Sequence, residues 1–148
     1  MTRINFNLRP SPVLAEHRRL FKISQILLIL ELSSRGGKSS LPRLQLFNWA
    51  LKSKIRKDCL VKSAINGVLD VQAWGFDPAV AIALRFAIAE SLVGNISTGY
   101  QISDIGKVFV REVMEHQNLL SDEKELLKQV GKNITEAMVD LISREWKL

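Results

Sequence analysis

The fold of this chain is limited most by a glycine-containing turn between two short strand-like segments. Helical patterns lie on both sides of this feature. Residues 94–99 read Gly-Asn-Ile-Ser-Thr-Gly, and Leu92-Val93 precede them. After the turn, Tyr100 and Ile102 alternate with polar residues. Two such segments around a glycine-containing turn predict a β-hairpin. The chain is therefore expected to be mainly α-helical, with one small hairpin.

Four helices are predicted before the hairpin, because apolar residues recur every three or four positions there. Ser40 can cap the second helix, and Gly67 stands where a glycine usually ends the third. Asp77-Pro78 is a typical start for the fourth. The predicted helices cover residues 13–34, 40–53, 54–66 and 79–93. Residues 33–40 are expected to form a polar loop, and residues 68–74 fit either a short strand or a connector.

The two ends of the chain are predicted to differ in structure, with an extended segment at the N-terminal end and helices at the C-terminal end. Residues 1–12 alternate polar and apolar positions and contain two prolines, which predicts an extended lead-in. After the hairpin, Ser103-Asp104 can cap a fifth helix. A last helix is expected from Ser121 nearly to Trp146, with acidic residues at its positive end. Residues 1–148 are therefore expected to form one domain, with residues 121–148 as its C-terminal helix.

Composition favours a core that needs no cross-link. The chain has 148 residues, of which 47% are hydrophobic, and a single cysteine, Cys59. One cysteine cannot form an internal disulfide, which favours a reducing, cytoplasmic setting. No apolar run approaches the roughly 20 residues that cross a bilayer. The N-terminus has no apolar segment of the signal-peptide kind.

The predicted element order resembles that of winged helix domains, in which a hairpin packs beside a helix-turn-helix core. Residues 83–93 and 100–107 resemble the third helix and wing of that family, where Leu-Val opens the first wing strand and Tyr-x-Leu-Thr-x-x-Gly closes the second. Here Ile102 and Ser103 replace the usual Leu and Thr. The resemblance implies a winged helix-turn-helix domain, here with an extra C-terminal helix.

Within that class, the small size, the basic first half and the long final helix resemble the middle component of bacterial ABC three-component systems and the related Lamassu defence systems. The resemblance implies a non-catalytic accessory subunit. Such a subunit binds a larger SMC-like ATPase and an effector protein in an anti-phage or anti-plasmid complex. The alternative is a winged helix transcriptional regulator that binds double-stranded DNA. A third hypothesis is an enzyme that uses the loop at residues 35–40.

The sequence contains no complete catalytic or metal-binding pattern. Residues 35–40 read Arg-Gly-Gly-Lys-Ser-Ser and match only the tail of a phosphate-binding loop, because Leu32 stands where the first glycine should be. His17 and His116 have no second ligand at metal-binding spacing, and both are expected at the surface. Cys59 is expected to be a buried small hydrophobe. We therefore expect no enzyme, no cofactor and no metal site.

Charge divides the chain into two unequal parts. Residues 1–62 carry net charge +10 and residues 63–148 carry net charge −4. The fourth helix has Arg85 as its only base, and residues 94–103 contain no Lys or Arg, so base reading by helix and wing is disfavoured. The positive patch fits either non-specific DNA phosphates or an acidic protein surface, and the sequence leaves both open. The candidate DNA-binding residues are Arg35, Lys38, Arg43, Lys52, Lys54, Arg56, Lys57 and Lys62.

In the predicted last helix, apolar residues recur at alternating steps of three and four, which is the spacing of a partner-binding seam. They are Leu127, Val130, Ile134, Ala137 and Leu141, and Met138 and Ile142 widen the seam. Packing of that seam against its own domain is the alternative, and Gly131 weakens the helix. The candidate partner-binding residues are Leu127, Val130, Ile134, Met138 and Leu141.

Overall fold

Residues 15–144, the part of the chain that the computed structural model describes, contain seven α-helices and three short strands. The helices are α1 Ala15–Leu32, α2 Leu41–Ala50, α3 Lys54–Asn66, α4 Pro78–Ala89, α5 Asp104–Glu115, α6 Ser121–Val130 and α7 Glu136–Ser143. The strands are β1 Lys38–Ser39, β2 Val93–Ile96 and β3 Gly99–Ile102, and one turn of 3-10 helix spans Arg35–Gly37. Three predictions concern parts of the chain that the structure does not describe. They are the lead-in at residues 1–12, the surface position of the His17 side chain and the helix end near Trp146.

The predicted hairpin is confirmed as β2 and β3, which pair antiparallel with Asn95 opposite Tyr100. A strand that the sequence did not predict, β1, pairs antiparallel with the other edge of β3, giving the order β1-β3-β2. Gly99 allows this close pairing. Its φ is +147°, and a Cβ there would collide with the carbonyl oxygen of Ser39. The expected polar loop at residues 33–40 is therefore partly a strand.

The helix starts follow the capping residues. The side chain of Ser40 accepts a hydrogen bond from the backbone N–H of Arg43, and Ser103 accepts one from Gly106. Gly67, with φ of +71°, ends α3 in the left-handed conformation. These local signals were predicted correctly because each depends on residues within four positions.

Helix α1 is the centre of the core and packs against α4, α5 and α6. Its residues Leu27, Leu28 and Leu30 are fully buried. Residues 68–74 are a connector and not a strand. This connector is nevertheless anchored, because Trp74 is buried and its indole N–H donates to the carbonyl oxygen of Pro42 at 2.9 Å.

The prediction of one continuous helix from Ser121 onward is wrong. Gly131, with φ of +57°, ends α6, and α7 begins only at Glu136. The side chain of Thr135 caps α7 by accepting from the backbone N–H of Met138 at 3.2 Å. A glycine in the left-handed region stops a helix without steric cost, so the chain can turn here.

Candidate functional site

The Arg35–Gly37 segment does not have the setting of a phosphate-binding loop. Such a loop follows a strand and opens a helix, whereas this turn follows α1 and leads into β1. Lys38, the lysine of the partial motif, lies exposed on β1. Among residues 15–144, no group of three or more His, Cys, Asp or Glu side chains is placed to hold a metal ion. Cys59 is partly buried at the rim of the core, and its thiol donates to the carbonyl oxygen of Asp70 at 3.2 Å.

Arg43 is not a surface residue, which corrects its assignment as a DNA ligand. Its side chain is 3% exposed. Its guanidinium donates to the carbonyl oxygen of Ile134 at 2.8 Å, to the hydroxyl of Ser34 at 2.7 Å and to the carbonyl oxygen of Ser33. Burial lowers the pKa of Arg43 to about 10, an effect that the nearby Glu136 carboxylate opposes. Arg43 therefore ties α2 to the end of α1 and to the segment before α7.

Two other candidates of the basic patch are engaged within the chain. Lys52 pairs with Asp77 at 3.1 Å, and Arg56 lies over the ring of Trp49, 4.9 Å from its centroid. Lys57 is half-buried. The candidates that remain fully exposed are Arg35, Lys38, Lys54 and Lys62. Arg35 and Lys38 lie around β1 and the other two on α3, so the patch has two parts.

The proposed partner-binding seam is largely inside the molecule. Leu127, Val130 and Ile134 have no exposed surface, because they pack in the core. Met138 is half-buried, and only Leu141, with 65% of its surface exposed, is freely accessible. This corrects the seam assignment: packing on its own domain, the alternative given above, accounts for its first three residues. A buried residue cannot dock a partner without unfolding its surroundings.

Helix α4 divides cleanly into two faces. Its inner face is buried and packs toward α1. Its outer face carries Ile82 and, one turn further along the helix, Arg85 and Phe86. Ile82 is 43% exposed and Phe86 is 38% exposed. The sequence showed that α4 is apolar nearly all round, but it did not show which positions face solvent.

Two arginines accompany this apolar surface. The guanidinium of Arg19, on α1, lies over the ring of Phe86 at 3.8 Å from its centroid. Arg85 is exposed beside Phe86 on α4 itself. Cations that lie over aromatic rings keep those rings partly covered yet accessible at their edges. We name Arg19, Ile82, Arg85 and Phe86 the α4 surface.

A polar cluster fixes the start of α4. The carboxylate of Asp77 accepts from the backbone N–H of Ala79 at 3.0 Å, from Asn48 at 3.0 Å and from Lys52 at 3.1 Å. The side-chain amide of Gln45 also pairs with the backbone N–H and carbonyl of Asp77. Burial alone would raise the pKa of Asp77, but these hydrogen bonds outweigh it and lower the pKa to about 2. The cluster locks α4 to α2, so its outer face is presented in a fixed orientation.

A second pair of exposed apolar residues lies on α5, whose start is close to the segment that follows α4. Ile105 and Val108, on α5, are 50% and 44% exposed. The start of α5 is held there because the backbone N–H of Ser103 donates to the carbonyl oxygen of Leu92 at 3.0 Å. Gly106 permits this approach, since a Cβ at that position would collide with the same carbonyl oxygen.

Comparison with protein-family models, with characterised proteins and with solved structures gives no match to this chain. Within residues 15–144 no helix combines the length and the apolar character that a membrane span requires. The functional interpretation therefore depends on the geometry of the α4 surface and of the exposed cations.

Proposed function

We propose that this protein is a non-catalytic accessory subunit with a winged helix fold, and that it binds a larger protein through the α4 surface. The fold part of the proposal is supported by the order of the elements. Strand β1 lies between α1 and α2 in the sequence and pairs with the second strand of the hairpin, and the hairpin directly follows α4. Four helices, one more than in the usual order of winged helix domains, precede the hairpin, and α4 takes the place of the helix that enters the major groove in base-reading members.

One observation carries the functional part: the outer face of α4 is apolar. A helix that reads bases offers Arg, Lys, Asn or Gln to the major groove. Here that face offers Ile82 and Phe86, with Arg85 as its only polar reader. The hairpin, residues 93–102, adds no Lys or Arg. Sequence-specific DNA recognition is therefore the weaker hypothesis, and protein binding the stronger.

The chemistry of the partner follows from the α4 surface. Aromatic residues and Arg are enriched at the centres of protein–protein interfaces, and Arg is among the residues that contribute most to binding. Arg19 places positive charge over the ring of Phe86, and Arg85, the residue before Phe86 on α4, is exposed. The complementary element is an amphipathic helix that brings an apolar stripe and acidic side chains. The family resemblance implies that this helix belongs to an SMC-like ATPase, which an effector protein accompanies.

The direct test is co-expression with the products of the neighbouring genes, among which the proposal predicts an SMC-like ATPase, followed by a measurement of affinity. Phe86→Glu places a carboxylate in the proposed contact and should weaken binding by at least about tenfold, which is 1.4 kcal/mol. The matched control is Ile65→Glu on α3, where Ile65 is 76% exposed and lies outside the α4 surface. This control should bind as the wild type does.

Two results would contradict the proposal. One is a folded Phe86→Glu protein that binds the ATPase with wild-type affinity. The other is an Ile65→Glu protein that loses binding equally, because a general apolar attraction and not the α4 surface would then explain the complex. Circular dichroism of both variants establishes beforehand that each is folded.

A further inference from the structure

A cleft of about 710 Å³ lies between the turn that precedes β1, the hairpin tip and the start of α7. Its size is within the range of small-molecule sites, roughly 300–1,000 Å³. Three separate parts of the chain line it: Arg35 and Lys38 come from the turn and β1, Thr98 from the hairpin tip, and Lys132 from the segment after α6. This cleft shares no residue with the α4 surface.

The cations of the cleft are free to bind an anion. Arg35, Lys38 and Lys132 are all exposed, and none of them is ion-paired with a residue in the described part of the chain. They converge on one space although Arg35 and Lys132 lie almost one hundred positions apart in sequence. An anion in the cleft would therefore be attracted by all three cations.

A fourth cation lies at the wall of the cleft and is fixed there. Arg43 also lines the cleft, and the three oxygens that accept its strongest hydrogen bonds, from Ile134, Ser34 and Ser33, are neutral. Its positive charge is therefore held in place without a carboxylate in direct contact. In a low-dielectric surrounding such a charge raises the potential of the adjacent space.

The acidic residues of the cleft are already engaged. Glu136 accepts from the backbone N–H of Ser40 at 2.9 Å, and Asp140 pairs with Arg144 at 2.7 Å. Both carboxylates lie on α7 and face partners of this chain. The four cations that line the cleft outnumber its two carboxylates, so its net charge is positive.

We propose that this cleft binds a phosphate group. The guanidinium of Arg35 and the ammonium groups of Lys38 and Lys132 would donate charge-assisted hydrogen bonds to the phosphate oxygens. A phosphate can come from a free nucleotide or from the backbone of nucleic acid, and the same three cations would serve either source. The proposal does not depend on the α4 surface, so it can fail while the proposed function holds.

The test compares two double variants of equal charge change. Lys38→Ala with Lys132→Ala removes two cations of the cleft, and Lys54→Ala with Lys62→Ala removes two exposed cations of α3. Each protein is titrated with ATP by calorimetry and with a short fluorescein-labelled DNA duplex by anisotropy at several salt concentrations. Thermal melts of both variants verify that the fold is retained.

The cleft variant should lose at least about tenfold in affinity for the ligand that binds, because two charge-assisted hydrogen bonds to the phosphate are removed. For DNA, the slope of log affinity against log salt should fall by about 1.8 when two phosphate contacts are lost. The α3 variant should stay within about twofold of the wild type, because exposed charges that make no contact change binding little.

The two ligands identify the source of the phosphate. Loss of ATP affinity alone in the cleft variant assigns the cleft to a nucleotide, loss of duplex affinity alone assigns it to the nucleic-acid backbone, and loss of both assigns it to phosphate from either. The proposal is overturned if neither ligand binds the wild type, if the cleft variant binds both ligands as the wild type does, or if the α3 variant loses as much affinity as the cleft variant.

Discussion

Replacing Arg43 with methionine removes a guanidinium whose hydrogen bonds join three parts of the chain. The carbonyl oxygens of Ser33 and Ile134, both in buried residues, would lose their donor. A buried polar group left without a partner costs about 1–3 kcal/mol. Methionine fills much of the same volume and needs no charge in the core, which offsets part of the loss. We expect Arg43→Met to lower the free energy of unfolding by about 3 kcal/mol.

The loss is measurable by chemical or thermal denaturation followed by circular dichroism. For a domain of this size, 3 kcal/mol corresponds to a decrease in Tm of roughly 6–12 °C. The control is Lys38→Met, because Lys38 is exposed and a surface substitution changes stability by less than about 0.5 kcal/mol. An Arg43→Met protein as stable as the wild type would refute the structural role assigned to this arginine.

Three further predictions concern stability. Because the pKa of Asp77 is lowered to about 2 in the folded chain, its contribution is complete above about pH 4 and is lost as the pH falls toward 2. Asp77→Asn keeps a capping side chain, and solvent screens the carboxylate, so this substitution should lower the free energy of unfolding by about 1 kcal/mol at neutral pH and flatten its acid dependence. Gly99→Ala should lower Tm more than Gly75→Ala, because both glycines have positive φ but only Gly99 contacts the β1 backbone; equal Tm values would contradict the β1-β3 pairing. Ile134→Glu should unfold the chain or lower the free energy of unfolding in urea by more than about 4 kcal/mol, because Ile134 is fully buried. Leu141→Glu, at an exposed position, should change that free energy by less than about 0.5 kcal/mol. A stable Ile134→Glu protein would show that Ile134 is not in the core.

The features that the sequence predicted well are those that depend on near neighbours. The caps at Ser40, Asp77 and Ser103 and the hairpin turn at residues 94–99 each involve residues only a few positions apart. The two-residue strand β1 was missed because its partner, β3, lies about sixty positions away and β1 is too short to show alternation. Pairing of that kind is decided by tertiary structure.

The candidate site was harder to predict, because exposure is not a local property. Arg43 resembles its basic neighbours in the sequence, yet it is buried because Ile134, 91 positions later, offers a carbonyl oxygen to its guanidinium. The spacing of residues 127–141 predicts a seam only if these residues form one continuous helix. Gly131, with its positive φ, ends α6 and interrupts that helix. Apolar residues lie on nearly all sides of α4, so the sequence does not show which face is buried. The buried face is decided by the packing of α4 against α1.

Hydrogen–deuterium exchange of this protein, alone and with the ATPase proposed as its partner, tests the central claim most directly. The backbone N–H groups of α4, Pro78–Ala89, should exchange more slowly in the complex, because a partner helix on the α4 surface suppresses local opening of α4. Those of α3, Lys54–Asn66, should exchange at unchanged rates. Protection confined to α3, with α4 exchanging as it does in the free protein, would contradict the assignment of α4 as the partner-binding surface.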